Sequence, residues 1–85
     1  MRQGNFCYNS TTRLYYFVNH PDPLNEDNRI YFKAGDTKSL LKELSKYIPK
    51  KRPFILNLIE INSGLEELIK SEFKENNKLK IKIVN

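Results

Sequence analysis

The stretch Phe54 to Ile61, FILNLIEI, constrains the fold more than any other segment, because apolar residues occupy both of its alternation phases. Only Asn57 and Glu60 interrupt the apolar run. A strand with apolar side chains on both faces is buried, at least in part, on both sides of its sheet. We therefore predict that the core forms around this strand.

Length and charge limit the remaining possibilities. A chain of 85 residues is long enough for one domain with a single modest core. Its 15 Lys and Arg residues exceed its 10 Asp and Glu residues, giving a formal charge of +5. This excess fits an acidic partner, whether nucleic acid, an acidic protein surface or anionic lipid, although excess lysine also simply keeps a small domain soluble.

The cysteine content and the hydropathy pattern bear on location. Cys7 is the only cysteine, so no intrachain disulfide can form, which favours a reducing compartment. No apolar run reaches the about 18 residues of a membrane span, and the first residues lack the hydrophobic segment of a signal peptide. We expect a soluble, intracellular, cytoplasmic protein that does not associate with membranes.

The first third of the chain predicts two strands. Residues 1–12 are polar and show no period, so we expect an irregular N-terminal arm followed by a single α+β domain over 13–85. Strands are predicted at 13–18 (RLYYFV) and 29–34 (RIYFKA), which are rich in aromatic and aliphatic residues. The prolines and Asn and Asp residues of 19–28 predict a loop between these strands.

Two helices and a last strand are predicted in the rest. Apolar residues over 37–48 recur at helical spacing, with Asp36 as N-cap and Pro49 as terminator. Ser63 and Glu66 form a capping box at the start of a second helix. In the closing KLKIKIVN, strict alternation turns Leu79, Ile81 and Ile83 inward. The order ββαβαβ predicts a mixed four-stranded sheet with two helices packed on one face.

This order resembles the ubiquitin-like β-grasp. The segment SGLEELIKSEFKENNKLKIKIVN is similar to the closing helix and strand of Phox/Bem-type domains, and FKAGDTKSLLKEL resembles the matching segment of doublecortin-type domains. These resemblances imply a protein-interaction module. Phox/Bem-type domains pair head to tail through an acidic loop and a basic strand surface. Because IEINS supplies only Glu60 where the acidic cluster would lie, the resemblance implies the basic role.

A rival interpretation takes the strands at 29–34, 54–61 and 78–85 as parallel. Right-handed helical crossovers would then join them. In this interpretation, the LNL and SGL motifs are similar to those of sulfate-transporter and anti-sigma-antagonist domains.

The sequence lacks the residue clusters that catalysis or metal binding needs. The single Cys and the single His have no metal-ligand spacing, and nothing in the sequence brings Cys7 and His20 together as a nucleophile and base. Glu66 and Glu67 point about 100° apart on a helix, and no Gly-rich phosphate loop is present. We predict no enzymatic activity, no metal and no cofactor.

A basic sheet face is the remaining candidate site. We predict that an aromatic residue and lysines of two strands form one surface, namely Tyr31, Lys33, Lys78, Lys80 and Lys82. It would dock an acidic protein surface or, alternatively, bind nucleic acid by phosphate contacts and base stacking. As a third alternative, the lysines only discourage edge pairing.

Two further segments of the chain carry clustered charge. Lys50, Lys51 and Arg52 form a secondary basic patch, which the negative end of the preceding helix explains without a ligand. The 19–28 loop carries Asp22, Glu26 and Asp27. These acids suggest head-to-tail self-association with the lysine row.

Overall fold

The computed structural model describes residues 2–33 and 35–84. Its elements are β1 (Arg2–Asn9), β2 (Leu14–Val18), β3 (Arg29–Tyr31), α1 (Thr37–Ser45), β4 (Phe54–Ile59), α2 (Ser63–Glu72) and β5 (Leu79–Val84). Over the described residues, the chain is a small α+β domain in which five strands form one mixed sheet, so the predicted class is confirmed. Within the described ranges, no helix has the length and apolar character needed to cross a membrane.

The strands lie in the order β3-β2-β1-β4-β5. β2 is antiparallel to both β1 and β3, whereas β4 is parallel to both β1 and β5. It follows that β3, β4 and β5 all run in the same direction, as the rival interpretation of the sequence expects. The connection from β3 to β4 through α1 and the connection from β4 to β5 through α2 both run towards the β5 edge. Right-handed crossovers in the same direction place both helices on the same face of the sheet. The family resemblances stay predictions.

The predicted four-stranded sheet and the predicted irregular arm over 1–12 are wrong for one reason. Residues 2–9 form β1, the central strand, which pairs with both β2 and β4. Gly4 and Asn5 have low strand propensity, but pairing on both sides overrides this preference. Phe6 and Cys7 are fully buried as a result.

Strand register explains how the core is filled. Phe6 lies opposite Phe17 on β2 and opposite Leu58 on β4, so their side chains point to the same face. The helices cover this face and complete one buried cluster with it. That cluster contains Phe6, Phe17, Phe32, Leu40, Leu41, Leu44, Ile48, Phe54, Leu56, Leu58, Leu65 and Ile69.

The helix starts follow local capping chemistry. The predicted cap of α1 is confirmed, because the Asp36 carboxylate accepts a hydrogen bond from the Ser39 amide at 2.8 Å. The cap of α2 is Asn62 rather than Ser63, since the Asn62 side chain accepts from the Leu65 amide at 2.8 Å. Glu66 is therefore free to pair with Lys70 one turn later, at 3.2 Å.

Gly4 occupies a position in β1 where no side chain fits. A Cβ atom there would lie 2.6 Å from Cζ of Phe17 and 2.8 Å from Cζ of Phe54. Both rings are buried, so neither can move without disturbing the core.

We predict that Gly4→Ala lowers the free energy of unfolding by about 1–3 kcal/mol through overpacking. Denaturant titration of the two proteins measures the difference. Gly35→Ala is the matched control: its Cβ would meet nothing within 4 Å, and removing a glycine where the backbone permits it is neutral or stabilises by up to about 1 kcal/mol. Equal unfolding midpoints for the two variants would contradict the crowding at Gly4.

Candidate functional site

The side of the sheet opposite the helices, here called the uncovered face, is organised in rows that run across the strands. The pairing register defines a cationic row, in the order Arg29, Val18, Asn5, Asn57, Lys82 from β3 to β5. One step further along the strands lies an apolar row, in the order Tyr31, Tyr16, Cys7, Ile59, Val84. These residues are far apart in the sequence, and the pairing of β1 with both β2 and β4 brings them together.

The middle of the cationic row is polar but almost completely buried. Asn5 is 1 % and Asn57 is 8 % exposed. The Asn5 amide donates hydrogen bonds to the carbonyls of His20, at 2.6 Å, and Pro21, at 3.3 Å. Asn57 donates to the Gln3 side chain at 3.3 Å. The 19–28 loop is thus anchored on Asn5 and leaves the β4–β5 side of the face without such an anchor.

At the β3 end of the face, three side chains form one packed unit. The Arg29 guanidinium lies 4.4 Å from the centre of the Tyr16 ring, and the Tyr31 ring lies 5.6 Å from the same ring. The Tyr31 hydroxyl accepts a hydrogen bond from Arg29 at 3.4 Å, and this contact raises the pKa of Arg29 above its ordinary value. Tyr31 nevertheless remains half exposed.

At the β5 end, the face is open, and its described strand positions carry only positive charge. Lys80 and Lys82 are exposed, and Val84 is 42 % exposed beside the half-buried Ile59. At the strand positions of this face, every charged residue is a cation: Arg29, Lys80 and Lys82. The open end therefore combines apolar surface with positive charge.

The structure does not join the predicted site residues into one surface. Tyr31 lies in β3 and Lys80 and Lys82 lie in β5, which are the two edges of the sheet. Four inter-strand steps of about 4.8 Å separate those edges by about 19 Å. Lys33 follows β3 two residues after Tyr31, and both side chains are exposed. The prediction of a single surface is wrong because β1 lies between the two pairs of strands.

Lys78 connects the lysines of β5 to the secondary basic patch. It precedes β5, and its ammonium group donates to the Lys51 carbonyl at 3.3 Å. Lys50, Lys51 and Arg52 are exposed there, before β4 begins. The positive surface along β5 thus continues into the α1–β4 linker.

Sequence reasoning missed Arg29, Ile59 and Val84 as parts of the face. The apolar residues on both phases of FILNLIEI were a signal for Ile59, because they indicated a strand with a second apolar side. For Arg29 and Val84 no sequence signal was available, since their neighbours on the face depend on the pairing through β1.

The carboxyl ends of β1 and β4 form another concave region, where open α/β sheets commonly bind ligands. Two clefts meet there at Tyr15, whose ring lies 4.6 Å from that of Tyr8. Both helix N-termini nearby are already capped by Asp36 and Asn62. Glu60, at a positive φ of 60°, is exposed. Among the described residues that line these two clefts, none supplies an imidazole or a thiol.

Among the described residues, no cluster of three or more His, Cys, Asp or Glu could hold a metal ion. Cys7 is 1 % exposed, and this burial raises the pKa of its thiol, which a hydrogen bond with Tyr16 only partly offsets. A neutral, buried thiol is a poor nucleophile. Cys7 is therefore a packing residue of the apolar row.

We predict that stability falls as the pH rises above the ordinary thiol pKa of about 8.5, because the unfolded chain then releases the Cys7 proton while the folded chain retains it. Cys7→Ala should flatten this fall, as measured by denaturant midpoints from neutral to alkaline pH. In the wild type, a thiol reagent should react slowly until denaturant is added. Rapid reaction under native conditions would show that Cys7 is accessible.

Comparison of this chain with protein-family models, curated proteins and solved structures finds no match.

Proposed function

We propose that this protein is a non-catalytic interaction module that binds an acidic protein surface through the open end of its uncovered face. The observation that carries the proposal is the charge and apolar pattern there: exposed Lys80 and Lys82 beside Val84 and Ile59, with no acidic residue at the strand positions of that face. Apolar contacts would supply affinity, whereas the lysines would supply steering and register.

The position of the aromatic residues favours a protein over a nucleic acid. Single-strand binding platforms combine cations with exposed aromatic rings that stack on successive bases. Here Tyr31 is at the opposite edge from Lys80 and Lys82, and Arg29 already covers the Tyr16 ring. A bound strand would have to cross the whole sheet to use both features.

We predict that Lys80→Gln/Lys82→Gln binds poly-L-glutamate, used as an acidic polypeptide probe, about two- to thirtyfold more weakly than the wild type at low salt. The control Lys38→Gln/Lys42→Gln removes the same charge from exposed positions of α1, on the helix side, and should bind like the wild type. Backbone amide shifts in NMR spectra should be confined to the β4–β5 side of the uncovered face. Equal loss in both variants would leave only net charge as the cause and refute the docking site.

Single-stranded RNA tests the alternative function. We expect the wild type to bind it more weakly than about 100 μM at physiological salt, with a shallow dependence on salt because few cations share one surface. Fluorescence anisotropy at about 0.01 M and about 0.15 M salt, where the Debye length is about 30 Å and about 8 Å, measures both quantities. Tighter binding with a steep salt slope and shifts at Tyr31 would transfer the function to nucleic-acid binding.

A further inference from the structure

β5 is the long unpaired edge of the sheet. It has six residues and pairs with β4 on one side, whereas the opposite edge strand, β3, has only three. Sheet edges left long and exposed are templates for another strand, and a short edge strand is one of the ways in which proteins protect themselves from this. Across the described residues, β5 is thus the edge best suited to accept a strand.

The hydrogen-bond pattern identifies which backbone groups of β5 are free. The Phe54 amide donates to the Lys78 carbonyl at 3.1 Å, which fixes the phase of the parallel β4–β5 ladder. In such a ladder, alternate residues turn both their N–H and C=O groups to the same neighbour. The even-numbered residues of β5 therefore bond to β4, and the N–H and C=O groups of Ile81 and Ile83 point to the open edge.

The side chains of β5 present different chemistry on the two faces. Lys80 and Lys82 are on the uncovered face. Ile81 and Ile83 are on the helix face but incompletely covered, with Ile83 40 % exposed. A sixth strand would complete the burial of Ile83. Residues directly opposite one another on paired strands interact on the same face, so this strand should place acids beside the lysines and apolar residues beside the isoleucines.

A second copy of this chain does not satisfy these conditions. Antiparallel pairing of two β5 edges must bring odd-numbered residues opposite odd-numbered residues to use the free groups. If Ile81 faces Ile81, Lys80 lies opposite Lys82 of the second copy, and neighbouring even shifts again place lysine opposite lysine. Like charges at such positions are destabilising. The lysines thus oppose self-pairing but complement an acidic strand.

We infer that β5 captures an extended segment of the partner, in which acidic and apolar residues alternate, as a sixth strand of the sheet. This inference rests on the proposed function and adds the binding mode. Main-chain hydrogen bonds to Ile81 and Ile83 supply part of the affinity, and the alternating side chains supply specificity.

The test uses a peptide of about nine residues, within the usual range of strand lengths, in which Glu alternates with Val. A second peptide has the same composition with all Glu residues in one block. We expect fluorescence anisotropy to show the alternating peptide binding the wild type about tenfold more tightly, a difference of about 1.4 kcal/mol. Equal affinities, or no binding of the alternating peptide, would overturn the inference.

Two variants at one position separate backbone from side-chain contributions. Ile83→Ala removes the side chain and keeps the free N–H, whereas Ile83→Pro also removes the N–H, which an edge strand tolerates when that group points outward. We expect Ile83→Pro to bind the alternating peptide about two- to tenfold more weakly than Ile83→Ala, the value of one hydrogen bond. Equal binding by the two variants would overturn strand addition.

Two N-methylated peptides test the same point with the protein unchanged, in case Ile83→Pro weakens β5. One carries methyl groups on every Val amide and the other on every Glu amide. Because an added strand bonds through alternate residues, only one of these peptides should lose binding. Equal affinities would exclude strand addition. The variant Lys80→Gln/Lys82→Gln tests the proposed function separately. If binding is lost in this variant but is unaffected by Ile83→Pro and by N-methylation of the peptide, the result supports the docking face and excludes the sixth strand.

Discussion

β1 is bonded on both sides, antiparallel to β2 and parallel to β4, and the rest of the sheet depends on this double pairing. It joins an antiparallel meander, β1–β2–β3, to a parallel unit, β4–α2–β5. Neither half buries its apolar side chains alone. Phe6 lies between Phe17 of the first half and Leu58 of the second and is completely buried there, so one core forms from both.

The same strand sets the chemistry of the opposite face. Asn5 and Asn57 lie side by side in the middle of the sheet, where an apolar pair would be expected. Burying an amide without partners is costly, so each must be hydrogen-bonded. Asn5 meets this need through the carbonyls of His20 and Pro21, which fixes the 19–28 loop at one end of the face. The other end remains open, and for this reason the proposed docking surface is confined to β4 and β5.

Local patterns were sufficient for most elements but not for the sheet. The apolar run in β4, the periodicity and Asp36 cap of α1 and the alternation in β5 each depend on near neighbours in sequence, so they predicted these elements correctly. The sequence of β1 is polar and has no period. Gly4 is required there by the nearby Phe17 and Phe54 rings, and Asn5 hydrogen-bonds a loop that is distant in sequence. Because β1 was missed, Tyr31 was placed beside Lys80 and Lys82 instead of at the opposite edge. The outward direction of those lysines was nevertheless correct, since alternation alone determines it.

The positive charge of the β5 lysines both opposes self-pairing of the edge and favours pairing with an acidic strand. A sheet edge with free amides and carbonyls attracts any extended chain, including other copies of the same protein. Positive charge on alternate residues makes self-pairing unfavourable when Ile81 faces Ile81 and at the neighbouring even shifts, but makes pairing with an acidic strand favourable. In the proposed binding mode, the lysines that protect the edge are therefore the same residues that would select the partner. Acidic residues at positions 80 and 82 would protect the edge equally well. Capture of an acidic strand, by contrast, requires positive charge at these positions.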